Sequence, residues 1–161
     1  MNEHLSFPKR TLILMQGVPG SGKSTVAESI LRDLRSMYDP EDGLRLFQKI
    51  STDDYWYEKG GGVYAFDHGL LGLAHFWNQE RCQAAMAEDN AWVIIVDNTN
   101  RTCESVKPYV ELAKTFGYTI QTIRVDPGLD VALERNARRS EDRRVPDDVI
   151  RAMYAEMEPL L

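Results

Sequence analysis

The sequence is poor in cysteine and histidine, has no long apolar run, and carries no excess of positive charge. Two cysteines, Cys82 and Cys103, are too few for a disulfide framework in 161 residues, and they suit reduced thiols in a cytoplasmic compartment. The three histidines, His4, His68 and His75, stand at no spacing that suits a zinc site. No apolar stretch approaches the roughly 20 residues that cross a bilayer, so no membrane association is expected. The opening residues MNEHLSFPKR lack the apolar centre of a secretory leader. A net charge of -6 speaks against a protein that coats duplexes through bulk positive charge. That charge is uneven: within residues 134–145 five arginines oppose three acids, a balance of +2 that leaves -8 elsewhere. Any contact with a polyanion must therefore be local.

What is present reads as ordinary globular sequence, with 43% apolar and 27% charged residues. The length suits a single domain over residues 1–161, with no internal repeat or linker. Short apolar runs at 11–16, 44–50, 92–96 and 119–125 read as strands. Helical spacing is expected over 23–36, 70–88, 105–116, 129–139 and 146–158, with Gly117 closing the third and proline in the first turn of the last. Residues 55–67, with Gly60, Gly61 and Gly62, are expected to form a mobile loop. Alternating strands and helices predict an α/β fold, a parallel sheet of about four strands covered by helices on both faces. Such sheets bind ligands at the carboxyl ends of their strands. The polar clusters at 17–24, 51–54 and 97–100 each follow a strand candidate, so they should meet in one cleft.

The first cluster, GVPGSGKST, fills every slot of the phosphate-binding pattern G-x-x-x-x-G-K-[ST]. Gly17, Gly20, Ser21 and Gly22 would let backbone N–H groups face the phosphates of ATP. Lys23 would reach its β and γ groups, and Ser24, next to Thr25, would hold Mg²⁺. A kinase also needs a carboxylate beside the acceptor hydroxyl, and Asp53 or Asp54 stands in the right place, although residues 51–53 equally suit helix capping. Asp97, at the end of the most apolar strand, suits the magnesium shell. Asn98, Thr99 and Asn100 behind it could position an acceptor or simply build a turn. Among the arginines of 135–144, Arg135 is the first candidate to grip phosphate from a lid over the nucleotide, with Arg138 or Arg139 next. The rest suit solvated pairs with Glu134, Glu141 and Asp142. Tyr55, Trp56, Tyr57 and Tyr64 suit stacking on a nucleobase, or plain packing. His68 and His75 read as packing or surface residues.

Taken together, GVPGSGKST, STDDYW, VIIVDNTN, ERNARR and VPDDVIRAMYAEME resemble the bacteriophage 5′-polynucleotide kinase family of P-loop kinases, including small phage kinases of 5-hydroxymethyluracil DNA. The resemblance covers nearly the whole chain in order. It implies a P-loop kinase-type fold with an arginine-rich lid, Asp53 as general base, Lys23 and Ser24 as phosphate and Mg²⁺ ligands, and Arg135 on the ATP phosphates. Asp54, Trp56, Asn98, Thr99 and Asn100 then fall on the acceptor side. One position departs: where the family's phage kinases carry an arginine that grips a nucleic-acid phosphate, three residues after the catalytic aspartate, this chain has Trp56. Two acceptors follow as expectations, the hydroxymethyl group of 5-hydroxymethyluracil in DNA and the 5′-OH of a strand. Stacking at Trp56 leans modestly to the first. A small-molecule kinase shares the loop and the strand-end aspartate but has less use for DNTN and the arginines. A nucleotide switch needs no base at Asp53.

Overall fold

Residues whose side chains alternate between two apolar faces dictate the centre of this molecule. The structure is a computed structural model that describes residues 7–160, so His4, most of the leader reading and the chain ends of the 1–161 domain lie outside the described residues. Strand β1 (Thr11–Gln16) is buried along its whole length. Its odd and even positions point to opposite faces, as the two-residue period of a strand requires. Leu12 and Leu14 pack with Ile94 and Val96 of β3 (Val93–Asp97) under helices α4 (Leu71–Ala87) and α5 (Cys103–Phe116). Ile13 and Met15 pack with Val93 and Ile95 under α1 (Lys23–Arg35). Each such Leu or Ile, fully buried, contributes about 1.5–3 kcal/mol, so both faces are strongly specified.

Strand β2 (Phe47–Ile50) and β4 (Thr119–Arg124) complete a four-stranded sheet in the order β2-β3-β1-β4, with every pairing parallel. Parallel neighbours need long crossovers, and helices supply them on both faces, as the alternating sequence pattern predicts. Short α2 (Pro40–Leu46) leads into β2, and short α3 (Asp54–Lys59) follows it. A third apolar cluster joins α6 (Leu129–Ala137) and α7 (Asp147–Glu156) to the loop after β1 through Ala132, Ile150 and Val18.

Three expected elements differ. The strand expected over 44–50 is only its last four residues, because Pro40 at the first helical turn and the acids Glu41 and Asp42 beside it start a helix that runs to Leu46. The loop expected over 55–67 begins as α3 and closes through hydrogen bonds from Gly60, Gly62 and Ala65 back onto α3 carbonyls. Helix α5 starts earlier than its pattern suggests, since Thr102 and Ser105 cap it reciprocally at 3.1 Å. No helix among the described residues is long and apolar enough to cross a membrane.

Candidate active site

The loop that leaves β1 turns so tightly that glycine is required twice. Gly20 has φ +84° and Gly22 φ +93°, a region that L side chains rarely adopt. A Cβ on Gly20 would lie 2.2 Å from the Ala132 carbonyl oxygen, so the loop is seated directly on the backbone of α6. Arg135 of the same helix donates from Nη1 to the Ser21 carbonyl at 3.1 Å. On the other side the Gly17 N–H donates to the Thr99 carbonyl at 3.2 Å, tying the loop to the residues after β3. Gly22 caps α1 with no side-chain acceptor and no acid in the first turn. The Lys23 N–H donates to Ser21 Oγ at 3.4 Å, and the remaining first-turn N–H groups with the helix dipole point positive charge at the cleft, which suits an anion.

Lys23 and Asp97 form the floor. Asp97 is nearly sealed, its side chain 3% exposed, with Lys23 Nζ 4.0 Å from Oδ1 and Lys49 Nζ 3.8 Å from Oδ2. Lys49 also pairs with Glu28 at 3.0 Å. Among the described residues Asp97 Oδ1 finds no hydrogen-bond partner, although a buried carboxylate oxygen ordinarily demands one. Burial pushes the Lys23 ammonium below its usual pKa, with Asp97 and then Asp53 opposing that shift. An orphaned carboxylate oxygen in the cleft that Ser24 also lines is a donor set that fits a hydrated magnesium ion.

The two aspartates after β2 face different ways. Asp53 lines the cleft with a half-exposed side chain, and its nearest cation is Arg143, whose Nη2 lies 3.9 Å away. Asp54 instead accepts from Arg81 of α4 at 2.9 Å and from the Ser51 N–H at 3.3 Å, outside the cleft lining. Thr52 fixes this turn from below, its N–H donating to Asn98 Oδ1 at 2.9 Å. Asn98 and Thr99 line the cleft. Asn100, expected beside them, is buried and donates to the Met15 carbonyl at 2.6 Å, so it braces the sheet.

Trp56 is also placed differently from its expected stacking role. It borders the cleft but is only 1% exposed, packed edge-on against Tyr55 and Phe66, which leaves no free face for a base. The accessible aromatic wall is made by Tyr64 and by Phe66, which is 51% exposed. His68 and His75 line the cleft too, and His75 Nδ1 lies 3.3 Å from the Thr52 hydroxyl. Of the arginines, Arg135 and Arg139 line the cleft, while Arg138 turns outward to Glu134 at 2.6 Å. Arg143, Arg144, Lys49 and Phe66 were not singled out by the motif reading. Only position in space separates these arginines from their neighbours, and no spacing rule marks them.

The cleft holds about 850 Å³, ample for a nucleotide. Six cationic side chains line it against three carboxylates, in a protein whose net charge is -6. That local excess suits a triphosphate. Glycine loop, buried lysine and parallel sheet define the class: this is a P-loop domain with a kinase-type fold.

The chain belongs to the AAA domain family, whose model it matches over residues 12–160. It is 39% identical to human NEDD4-binding protein 2 over 115 residues, 71% of this chain and 6% of that protein. A baculovirus protein, from Autographa californica nuclear polyhedrosis virus, is assigned as a bifunctional polynucleotide kinase/RNA ligase. It is 27% identical over 161 aligned positions, covering 90% of this chain and 20% of the relative. The chain thus spans a small part of these relatives' length. Among solved structures, the Pnkp1/Rnl/Hen1 RNA repair complex contains a chain with TM-score 0.69 at 18% identity, covering 98% of this chain and 47% of that one. Solved kinases at 17–19% identity share the fold. The domain is therefore a kinase-type P-loop domain related to polynucleotide kinases.

Proposed function

We propose that this domain transfers the γ-phosphoryl group of ATP to a hydroxyl on a polynucleotide, with the 5′-OH end as acceptor. The observation that carries this reading is the Asp53 carboxylate, open to the cleft that also contains Lys23, and close enough to Lys23 to oppose the burial shift of its pKa. Asp53 takes the acceptor proton as that oxygen bonds to the γ-phosphorus and the bond to the bridging oxygen of ADP breaks. The first-turn N–H groups of α1 and Lys23 hold the β and γ phosphates. Arg135 and Arg139 cover them as a lid, and burial together with Arg143 pulls the Arg139 pKa below its usual value, as expected for crowded guanidinium groups awaiting an anion. Ser24 and Asp97 would hold Mg²⁺, which would supply charge neutralisation for the transferred phosphoryl group.

The relative assigned as a polynucleotide kinase/RNA ligase supports a polynucleotide acceptor. Transfer to the hydroxymethyl group of 5-hydroxymethyluracil in DNA is the second reading. Its support in the sequence is stacking at Trp56 and its tyrosine neighbours; Trp56 is sealed, and of those neighbours Tyr64 lines the cleft, beside Phe66. Labelled ATP offered separately to 5′-OH DNA, 5′-OH RNA, end-blocked DNA containing hydroxymethyluracil, and free nucleosides decides among these. The proposal expects label at 5′ ends. Label confined to the modified base would replace it with the second reading, and label only on nucleosides would defeat both.

A further inference from the structure

Behind the cleft wall runs a chain of polar side chains that core packing does not call for. Asn78 of α4 and Tyr109 of α5 are fully buried, and Tyr109 sits in the apolar cluster under these two helices. The Asn78 amide donates from Nδ2 to the Tyr109 hydroxyl at 2.9 Å, and the Asn98 amide donates to the same oxygen at 3.5 Å. Asn98 Oδ1 in turn accepts from the Thr52 N–H at 2.9 Å, and the Thr52 hydroxyl lies 3.3 Å from His75 Nδ1. The chain thus leads from the core to the residue before Asp53. Two apolar side chains of similar shape could replace a buried polar pair at little cost in stability, so burial alone gives no reason for Asn78 and Tyr109. Neither of them lines the cleft. The backbone ladder between β2 and β3 ends at Ile50 opposite Val96. Past that point the bond from Thr52 to Asn98 fastens the turn that carries Asp53 to the residue after Asp97. The Asp53 carboxylate accepts no hydrogen bond among the described residues, its nearest cation being Arg143 at 3.9 Å, so the backbone of its turn sets where it points.

We propose that Tyr109 is a positioning residue for phosphoryl transfer: its hydroxyl, braced by Asn78, orients the Asn98 amide, which holds the Thr52 turn against the end of β3 and so aims Asp53 at the acceptor hydroxyl. This rests on the kinase reading above and adds to it a residue that touches no ligand. A fully bonded buried network has one arrangement, whereas an unbraced Asn98 amide can rotate and release the Thr52 N–H. The spacing between the base at Asp53 and the cleft floor at Asp97 is then set by the core between α4 and α5, before any substrate arrives.

The test measures transfer from γ-labelled ATP to a 5′-OH oligonucleotide in wild type, Tyr109→Phe, Asp53→Asn and the double variant of the two. Tyr109→Phe is expected to lower kcat about tenfold, since misplacing a reacting group by about 1 Å can cost about 10²-fold, while the KM for ATP stays at its wild-type value. In the Asp53→Asn background the same change costs nothing further, because the hydroxyl acts through that carboxylate. Adding Asn78→Leu to Tyr109→Phe replaces the orphaned amide with an apolar group, so Tm recovers and kcat does not. An unchanged kcat in Tyr109→Phe overturns the proposal. So does an equal loss in the Asp53→Asn background, or a kcat that recovers together with Tm, either of which makes Tyr109 a packing residue. If wild type transfers no label, or Asp53→Asn transfers as fast as wild type, the kinase reading fails instead. Amide hydrogen exchange then decides this inference separately: Thr52 N–H exchange about tenfold faster in Tyr109→Phe, with the β3 amides unchanged, upholds the tie between the two turns, and unchanged Thr52 exchange ends it. Should Tyr109→Phe not fold, Asn98→Ala, at a partly exposed position, removes the next link and carries the same comparison.

Discussion

Gly20→Ala is the most demanding test of how the phosphate loop is built. The new Cβ would sit 2.2 Å from the Ala132 carbonyl oxygen, 3.1 Å from its carbonyl carbon and 3.2 Å from the Asn136 nitrogen, all backbone atoms that cannot swing aside. A φ of +84° adds about 1–2 kcal/mol for an L side chain. Forcing one methyl into a packed contact adds about 1–3 kcal/mol. The sum, about 2–5 kcal/mol, lowers Tm by roughly 4–20 °C for a domain of this size. If α6 slides instead, less stability is lost, but the Arg135 bond to Ser21 breaks and ATP affinity falls. Gly72→Ala is the control: a Cβ there meets nothing within 4 Å, its φ is not positive, and it lies in the first turn of α4. That change should stabilise by about 0.4–1 kcal/mol. Thermal melts and nucleotide titration read both variants. A Gly20→Ala protein with wild-type Tm and wild-type ATP affinity would refute the loop geometry.

Other outcomes follow from the same contacts. Lys23→Met removes a buried ammonium whose nearest carboxylate oxygen is 4.0 Å away, so without nucleotide it should melt no lower than wild type, yet show no stabilisation by ATP. A Tm several degrees lower would mean that the lysine stabilises the fold. Asp54→Asn loses a partly exposed ion pair to Arg81, costing about 0.2–1 kcal/mol in a denaturant melt and leaving transfer near wild type. Burial, and next Arg101, lower the His75 pKa from its ordinary 6.5, so the unfolded chain binds the proton more readily. Stability should therefore be fully present above pH 6.5 and decline as pH falls below it, and His75→Gln should flatten that decline. Equal pH dependence in both proteins would contradict this.

The glycine loop, the apolar strands and the clusters that follow them were legible because fixed spacings carry them. Val18 to Thr25, Asp53 and Asp97 do line or floor one cleft, as strand-end geometry requires, while Gly17 lies outside its lining. Adjacent residues were not separable. Asp53 faces the cleft while Asp54 turns to Arg81, and Arg139 faces it while Arg138 turns to Glu134, since one step along a turn or helix changes the side presented. Trp56 carries the same lesson: an aromatic amid motif residues suggests stacking, but its place on α3 packs it behind the cleft wall at 1% exposure. Arg143 comes beside Tyr57, Tyr64 and Asp53 only through the fold, since they are 86, 79 and 90 residues away in the chain. The helix at residues 40–46 was hidden by an alternation at 44–50 that spans a helix end and a strand start.

The central claim is that this cleft moves a phosphoryl group from ATP to a polynucleotide hydroxyl with Asp53 as the base. Single-turnover transfer from bound γ-labelled ATP to a 5′-OH oligonucleotide, in wild type and in Asp53→Asn, tests it most directly. The account predicts label on the strand's 5′ end in wild type. In Asp53→Asn it predicts the same ATP affinity and a rate about 10²–10⁴-fold lower. Equal rates in the two proteins, or label released from wild type only as inorganic phosphate, would contradict it.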